Sequence, residues 1–251
     1  MQVEEHIAAL EREGRLLAAA VGAADLDTAV PTCPGWTVRE LTHHIGRTHR
    51  WAAAYVGDGL LEPMGQDELD RRWGALPDDA QLLAWFHEGH EHILDCLRKA
   101  PVDLRCWTIF PAAAALAFWA RRQAHETAVH RADAQAVLGA VGAYAADFAA
   151  DGIDELLRGF YSRPRNPVRS DPPRTLQITA TDVVDAAWHV HIGPEGMRAS
   201  QGTAAADAAL RGGASELYLA LWNRRGLDGL GLTGDATLLD LWRERATVRW
   251  R

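Results

Sequence analysis

Apolar side chains recur at helical spacing in five stretches of the first two-thirds of the chain. Over residues 2–21, Val3, Ile7, Leu10 and Leu17 share one face, while Glu4, Glu5, Glu11 and Arg12 lie off it. A loop with prolines at 31 and 34 and a glycine at 35 follows. The next helix, expected over 38–56, begins with a local signature: Thr37 and Glu40 form the T-x-x-E of a capping box. Trp36 and Leu41 stand at the two positions of a hydrophobic staple. Leu83, Phe86, Ile93, Leu94 and Leu97 mark a third helix over 79–99. A fourth is expected over 112–138. A fifth, over 144–161, has Phe148, Ile153, Leu156, Leu157 and Phe160 as its apolar positions. Five amphipathic helices joined by loops predict an all-α up-and-down bundle.

The pattern then changes. Residues 162–174, "SRPRNPVRSDPPR", have no apolar periodicity and are dominated by proline and arginine, as a stiff linker would be. Beyond them "TLQIT" and "AAWHVHIG" read as strands, with a turn at Pro194 and Gly196. "TAAADAALRGG", "ASELYLALWNRR" and "TGDATLLDLWRERA" read as short helices. The expected organisation is therefore a helical bundle over 1–162 followed by a small α+β domain over 172–251.

Composition narrows the function. The chain has 251 residues, 48 % of them hydrophobic, and a net charge of −8. Such a charge argues against non-specific binding to nucleic acid or to an anionic membrane surface. No apolar run approaches the roughly 20 residues of a membrane span, and the charged N-terminus lacks a signal-peptide core. The expectation is a cytoplasmic protein. Cys33, Cys96 and Cys106 are odd in number and irregularly spaced, which argues for reduced thiols over a disulfide framework or a zinc–thiolate cluster. Lys99 is the only lysine among many arginines, and alanine is abundant, the signature of a GC-rich genome.

Eleven histidines remain to be sorted. In the second helix His43 shares a face with Arg39, Arg47 and Arg50, and should meet water. His44 shares one with Leu41, Ile45, Thr48, Trp51 and Tyr55, and should point inward. An inward histidine is either a hydrogen-bonded core residue or a ligand. In the fourth helix Leu116, Trp119, Gln123, Glu126, His130, Asp133 and Val137 form one stripe, apolar at its ends and polar in its middle. Either this face is exposed, with Glu126–His130 an ordinary ion pair, or it is buried and needs a cation, because an unpartnered buried carboxylate costs several kcal/mol. "HETAVH" is not a zincin motif: His125 and His130 are five apart and cannot chelate one ion together, whereas Glu126 and His130 can. A third ligand must come from another helix. The cluster "HEGHEHILDC" in the third helix reads as a solvated face with His90 at the core edge.

"TCPGWTVRELTHHIGRTHRWA", followed far downstream by "FWARRQAHETAVHRADA", resembles the mycothiol-dependent maleylpyruvate isomerase family of DinB-like metal-binding bundles. "GASELYLALWNRR" and "LTGDATLLDLW" are similar to that family's second, sterol-carrier-protein-like domain. The resemblance implies a metal held by His44, Glu126 and His130. It also implies a substrate-anchoring arginine in the second domain, Arg224 as the catalytic candidate or Arg225 as the substrate-binding alternative. A His₂Glu set leaves a coordination position open, as in catalytic zinc sites, and zinc is the first choice of divalent metal. The implied chemistry is cis–trans isomerisation or thiol transfer on a small, carboxylate-bearing electrophile. Mycothiol is the expected thiol, supplied from outside because no cysteine lies near the ligands in sequence or on their helix faces. The rival readings are a mycothiol S-transferase in detoxification and a non-enzymatic, metal-containing ligand-binding protein. The expected partners are a small-molecule substrate and a low-molecular-weight thiol.

Overall fold

The computed structural model describes residues 1–163 and 166–246. They divide into two units, Met1–Gly142 and Ala143–Arg251. The first contains α1 (Val3–Ala23), α2 (Val38–Asp58), α3 (Gln66–Trp73), α4 (Asp79–Lys99) and α5 (Ala115–Val137). The four long helices form the bundle: α1 packs on α5 and α4, and α2 on α4 and α5. Leu17, Val21, Val38, Leu41, Ile45 and Phe86 join in one core, with Trp36 packed against it. Two glycines let the helices approach closely. A Cβ at Gly14 would enter the His90 ring, and one at Gly46 would enter Trp85. The short α3 buries none of its residues. Its sequence, polar all round, gave no periodicity to find.

Helix α5 differs from the others in being buried on nearly every side. From Leu116 to Asp133 only Ala117 and Arg121 are partly exposed. Its polar face is therefore interior. So is Arg131 on another face, where Nε donates to Glu13 Oε2 at 2.9 Å from α1, and Nη1 donates to Gln135 Oε1 and the Gly142 carbonyl. Both side chains of this ion pair are 2 % exposed, so the remaining hydrogen bonds to Arg131 are what make its burial tolerable.

The second unit opens with α6 (Ala146–Asp154), which runs on as a π-helical turn over Glu155–Phe160. The expected fifth helix is thus present, but the division of the chain falls before it, between Gly142 and Ala143, rather than in the Pro/Arg-rich stretch 162–174. Pro164 and Arg165 of that stretch lie outside the described residues. A five-stranded sheet follows: β1 (Arg174–Ala180), β2 (Ala187–Gly193), β3 (Gly196–Gln201), β4 (Ala208–Gly212) and β5 (Gly231–Gly234), in the order β3-β2-β1-β4-β5. All neighbours are antiparallel except β1 and β4, which pair in parallel with Ile178 opposite Leu210. The stretch "TAAADAALRGG", expected to be helical, contributes β4 instead. Ala208 and Leu210 alternate into the core there, and sheet pairing outweighs the helix propensity of alanine. The turn at Pro194 leads into β3, which completes a hairpin that the sequence reading missed. Helices α7 (Ala214–Leu221) and α8 (Thr237–Arg245) bring Leu217, Tyr218, Leu238 and Trp242 into this unit's core. The architecture is a helical bundle followed by a small α+β domain.

The cap of α2 forms where the sequence placed it. The Thr37 backbone N–H donates to Glu40 Oε2 at 2.8 Å, and the Thr37 hydroxyl meets the same carboxylate. These bonds hold the Glu40 carboxyl below its usual pKa. Thr37→Ala should cost about 1 kcal/mol, read as a lower Tm at neutral pH. A carboxylate with a depressed folded pKa stabilises above its unfolded pKa and ceases to as pH falls through the folded value. The Tm gap between Thr37→Ala and the parent protein should therefore narrow in acid below about pH 4.

Candidate functional site

The loop before α2 is tied tightly. Trp36 N–H donates to the Cys33 carbonyl at 3.0 Å, closing a turn with Pro34 second and Gly35 third. Gly35 has φ +86°, the left-handed conformation that a type II turn requires at that position. Val30 N–H donates to Trp36 O, and Val38 N–H to Thr28 O. This folding sets Trp36 over the start of α2, where its ring lies 4.8 Å from that of His44 and stacks at 6.1 Å on that of His130.

Behind Trp36, α2 and α5 bring three donor atoms together. His44 Nε2 lies 3.3 Å from Glu126 Oε1, and His130 Nε2 lies 3.4 Å from the same oxygen. The ligand atoms of His44, Glu126 and His130 all lie within 4.8 Å of one another. Glu126 and His130 are nearly inaccessible, whereas the His44 side chain is 17 % exposed, so the cluster is reached from the His44 side. The polar middle of the α5 stripe is thus buried, and the reading of an exposed ion pair does not hold.

Further contacts orient the donors. His130 Nδ1 donates to Asp133 Oδ2 at 2.9 Å, and Asp133 Oδ1 accepts from the Thr32 hydroxyl. The same carboxylate–histidine arrangement fixes the tautomer of metal-binding imidazoles, leaving Nε2 free to ligate. Arg122, one turn before Glu126, donates from Nη2 to Glu126 Oε2 at 3.1 Å. One carboxylate oxygen is thereby satisfied by protein and the other is turned to the histidines. Burial alone would raise the Glu126 pKa, but hydrogen bonds from His130 and His44 and the charge of Arg122 outweigh it and hold the carboxyl well below its ordinary value. Burial lowers the pKa of His44. Burial also opposes charge on His130, yet bonds to Asp133, Cys33 and Glu126 prevail and raise its pKa well above normal. Three electron-pair donors aimed at one point need a proton or a cation among them, and two imidazoles with one carboxylate are a donor set that suits a divalent ion.

The other expectations sort as follows. His43 is not simply solvated: its Nε2 is buried without a hydrogen-bond partner among the described residues, its ring meets the edge of Trp85, and burial lowers its pKa. His125 is buried on another face of α5, away from the three donors, with its ring 6.0 Å from that of His6. His90 is a core residue bonded to the Leu10 carbonyl. The expectation that no cysteine lies near the ligands is overturned at Cys33, whose sulfur lies within 4.8 Å of ligand atoms of His130 and Asp133. In the second unit Arg224 is partly buried, and its Nη1 donates to the Trp222 carbonyl. Arg225 is exposed, 4.0 Å from Glu216. Sequence reasoning missed Arg122, and also His49, which is fully buried with Nε2 2.9 Å from the Thr127 hydroxyl. The i,i+4 spacing of Arg122 and Glu126 was available as a signal.

Among curated proteins none matches the chain in sequence. Solved structures similar to it include a mycothiol-dependent maleylpyruvate isomerase, 13 % identical, and a histidine-to-alanine mutant of a mycothiol-dependent maleylpyruvate isomerase, 12 % identical. Each superposes with a TM-score of 0.67 over 94 % of this chain and 95 % of the other, which is likeness of fold. Residues 7–135 match the mycothiol maleylpyruvate isomerase N-terminal domain, and residues 147–241 match the C-terminal domain of the same proteins. With the first match alone covering half of its length, the chain belongs to the mycothiol maleylpyruvate isomerase family.

Proposed function

We propose that this chain is a metal- and thiol-dependent enzyme that isomerises, or adds a thiol to, a small electrophile bearing a carboxylate, with mycothiol as the thiol. The observation that carries this reading is the convergence of His44 Nε2, Glu126 Oε1 and His130 Nε2 at a cluster reached from the His44 side. Family membership supports the thiol and the isomerase class. A divalent ion, with zinc the first choice, would be held by His44, Glu126 and His130 and would supply a Lewis acid able to deprotonate a thiol.

The surrounding residues have defined tasks in this reading. Asp133 keeps the His130 proton on Nδ1, and Arg122 holds the carboxylate of Glu126 in a single orientation. Trp36 packs against the His44 and His130 rings and helps to fix their positions. In the isomerisation, the thiolate adds to the activated cis double bond, the resulting single bond rotates, and elimination returns the trans isomer with the thiol regenerated. By the family resemblance Arg224, or alternatively Arg225, anchors the substrate carboxylate and stabilises charge developing on it.

Two measurements test the proposal. His44→Ala and His130→Ala should lower metal content, read by elemental mass spectrometry, at least tenfold, while His43→Ala and His125→Ala should retain it. Full occupancy in His44→Ala would exclude the trio. Arg224→Ala should lower kcat/KM with metal content intact. In the same assay Cys33→Ser should keep dependence on added thiol. Turnover of the parent protein without added thiol, abolished by Cys33→Ser, would instead make Cys33 the nucleophile.

A further inference from the structure

Besides the His49–Thr127 bond, helices α2 and α5 meet at two places along the stripe that carries Glu126. At one, His44 meets Glu126; at the other, Trp51 and Tyr55 meet Trp119, with ring centroids at 5.1 Å and 5.3 Å. Trp107, on the loop before α5, joins this second place: it lies 6.0 Å from Trp51 and 4.9 Å from Tyr55, and its carbonyl accepts from Trp119 Nε1. The loop is itself tethered by Trp107 N–H to the Leu60 carbonyl. Trp51 and Trp107 are only partly buried.

Between the two contacts, one turn from each, stands Gln123. It is 1 % exposed, and neither its Nε2 nor its Oε1 has a hydrogen-bond partner among the described residues. An unmet buried amide is costly, and native structures tolerate few of them. On α2 the Thr48 hydroxyl donates back to the His44 carbonyl, so its proton is not available to the Gln123 oxygen. A donor and an acceptor are thus presented, unsatisfied, between the three-donor cluster and an aromatic box.

We propose that Gln123 and the Trp51–Trp107–Trp119 box form the acceptor subsite, and that its occupant is a flat, conjugated carbonyl compound with an aromatic or similarly extended apolar body. This rests on the functional reading above and narrows its substrate class. The ring system stacks against the partly open faces of Trp51 and Trp107. The Gln123 amide donates to the carbonyl oxygen conjugated with the electrophilic carbon. When a thiolate forms its C–S bond at that carbon, the π electron pair moves to the carbonyl oxygen, and the Gln123 bond strengthens as charge gathers there. On elimination the pair returns, the C–S bond breaks and the thiolate leaves. A compact dicarboxylate lacking an apolar body would leave the box empty.

The test is calorimetric binding of trans-cinnamate and of fumarate to the full-length, metal-loaded protein without thiol, so that no turnover intervenes. Cinnamate should bind at least tenfold more tightly than fumarate. Gln123→Met should weaken cinnamate roughly tenfold while leaving Tm unchanged or higher, because removing an unpartnered buried amide costs the fold nothing. Trp51→Leu should weaken cinnamate but not fumarate. Equal or preferential binding of fumarate would overturn the inference, as would a Gln123→Met protein with unaltered affinity or a lowered Tm. Metal content and thiol-dependent turnover are read separately. If both persist while cinnamate fails, only the acceptor class is wrong; if both are lost, the broader proposal fails with it.

Discussion

The carboxylate of Glu126 sits in the middle of a helix that is buried on nearly every side, and most of the first unit's polar architecture follows from that fact. An isolated ionised carboxylate in such surroundings would cost many kcal/mol, so it must be neutralised, bonded or protonated. Arg122 answers for one oxygen and the two imidazoles for the other. Those imidazoles must in turn be oriented, which brings in Asp133, and Asp133 needs Thr32. Thr32 stands in the loop that the Cys33–Trp36 turn closes, and that turn delivers both Trp36 to the rings and Thr37 to the cap of α2. A charge on α5 thus constrains a loop that precedes it by about ninety residues.

Local signals in the sequence were legible because their physics is local. The cap at Thr37 and Glu40, the inward turn of His44 and the spacing that sets Glu126 beside His130 all depend on residues within two helical turns. What escaped depends on tertiary packing. The periodicity of α5 could not say whether its polar stripe met water, since a helix buried all round has no apolar side to contrast with it. Arg131 and Glu13 are 118 positions apart, and nothing near either announces the other. Cys33 was set aside by an argument from helix faces, which does not apply to a loop residue. The alanine-rich stretch before Gly212 has helical composition, and becomes a strand because β1 offers it a parallel partner.

Two solved relatives share the fold at 13 % and 12 % identity, a level at which most side chains differ. A fold so retained carries the positions of a site more readily than its choice of substrate. The distinction maps onto α2 and α5. At one end of their contact stand His44, Glu126 and His130, whose ligand atoms converge on one point and which the proposed function gives to a cation and a thiol. At the other stand indole and phenol rings, whose chemistry is that of shape and apolar surface. On the proposed reading, reaction type and substrate preference can vary independently, because different turns of the same two helices would set them.

Helix α5 also supplies the physical criterion that separates structural from ligand-facing polar groups. Arg131 and Gln123 are both buried on it. Arg131 is bonded to Glu13, Gln135 and the Gly142 carbonyl, so its burial is offset within the protein, and removing any partner would strand a charge. Gln123 finds no hydrogen-bond partner for either end of its amide among the described residues, although Arg122 Nη2 and Trp119 Nε1 on either side of it are bonded. A chain that satisfies an arginine from three directions has the means to satisfy a glutamine, or to replace it with an apolar side chain at a gain in stability. Folding alone gives no reason to keep an unmet donor and acceptor between a donor cluster and an aromatic box. The proposed acceptor subsite supplies one: a polar group arriving from outside, next to the cluster that would hold the thiol.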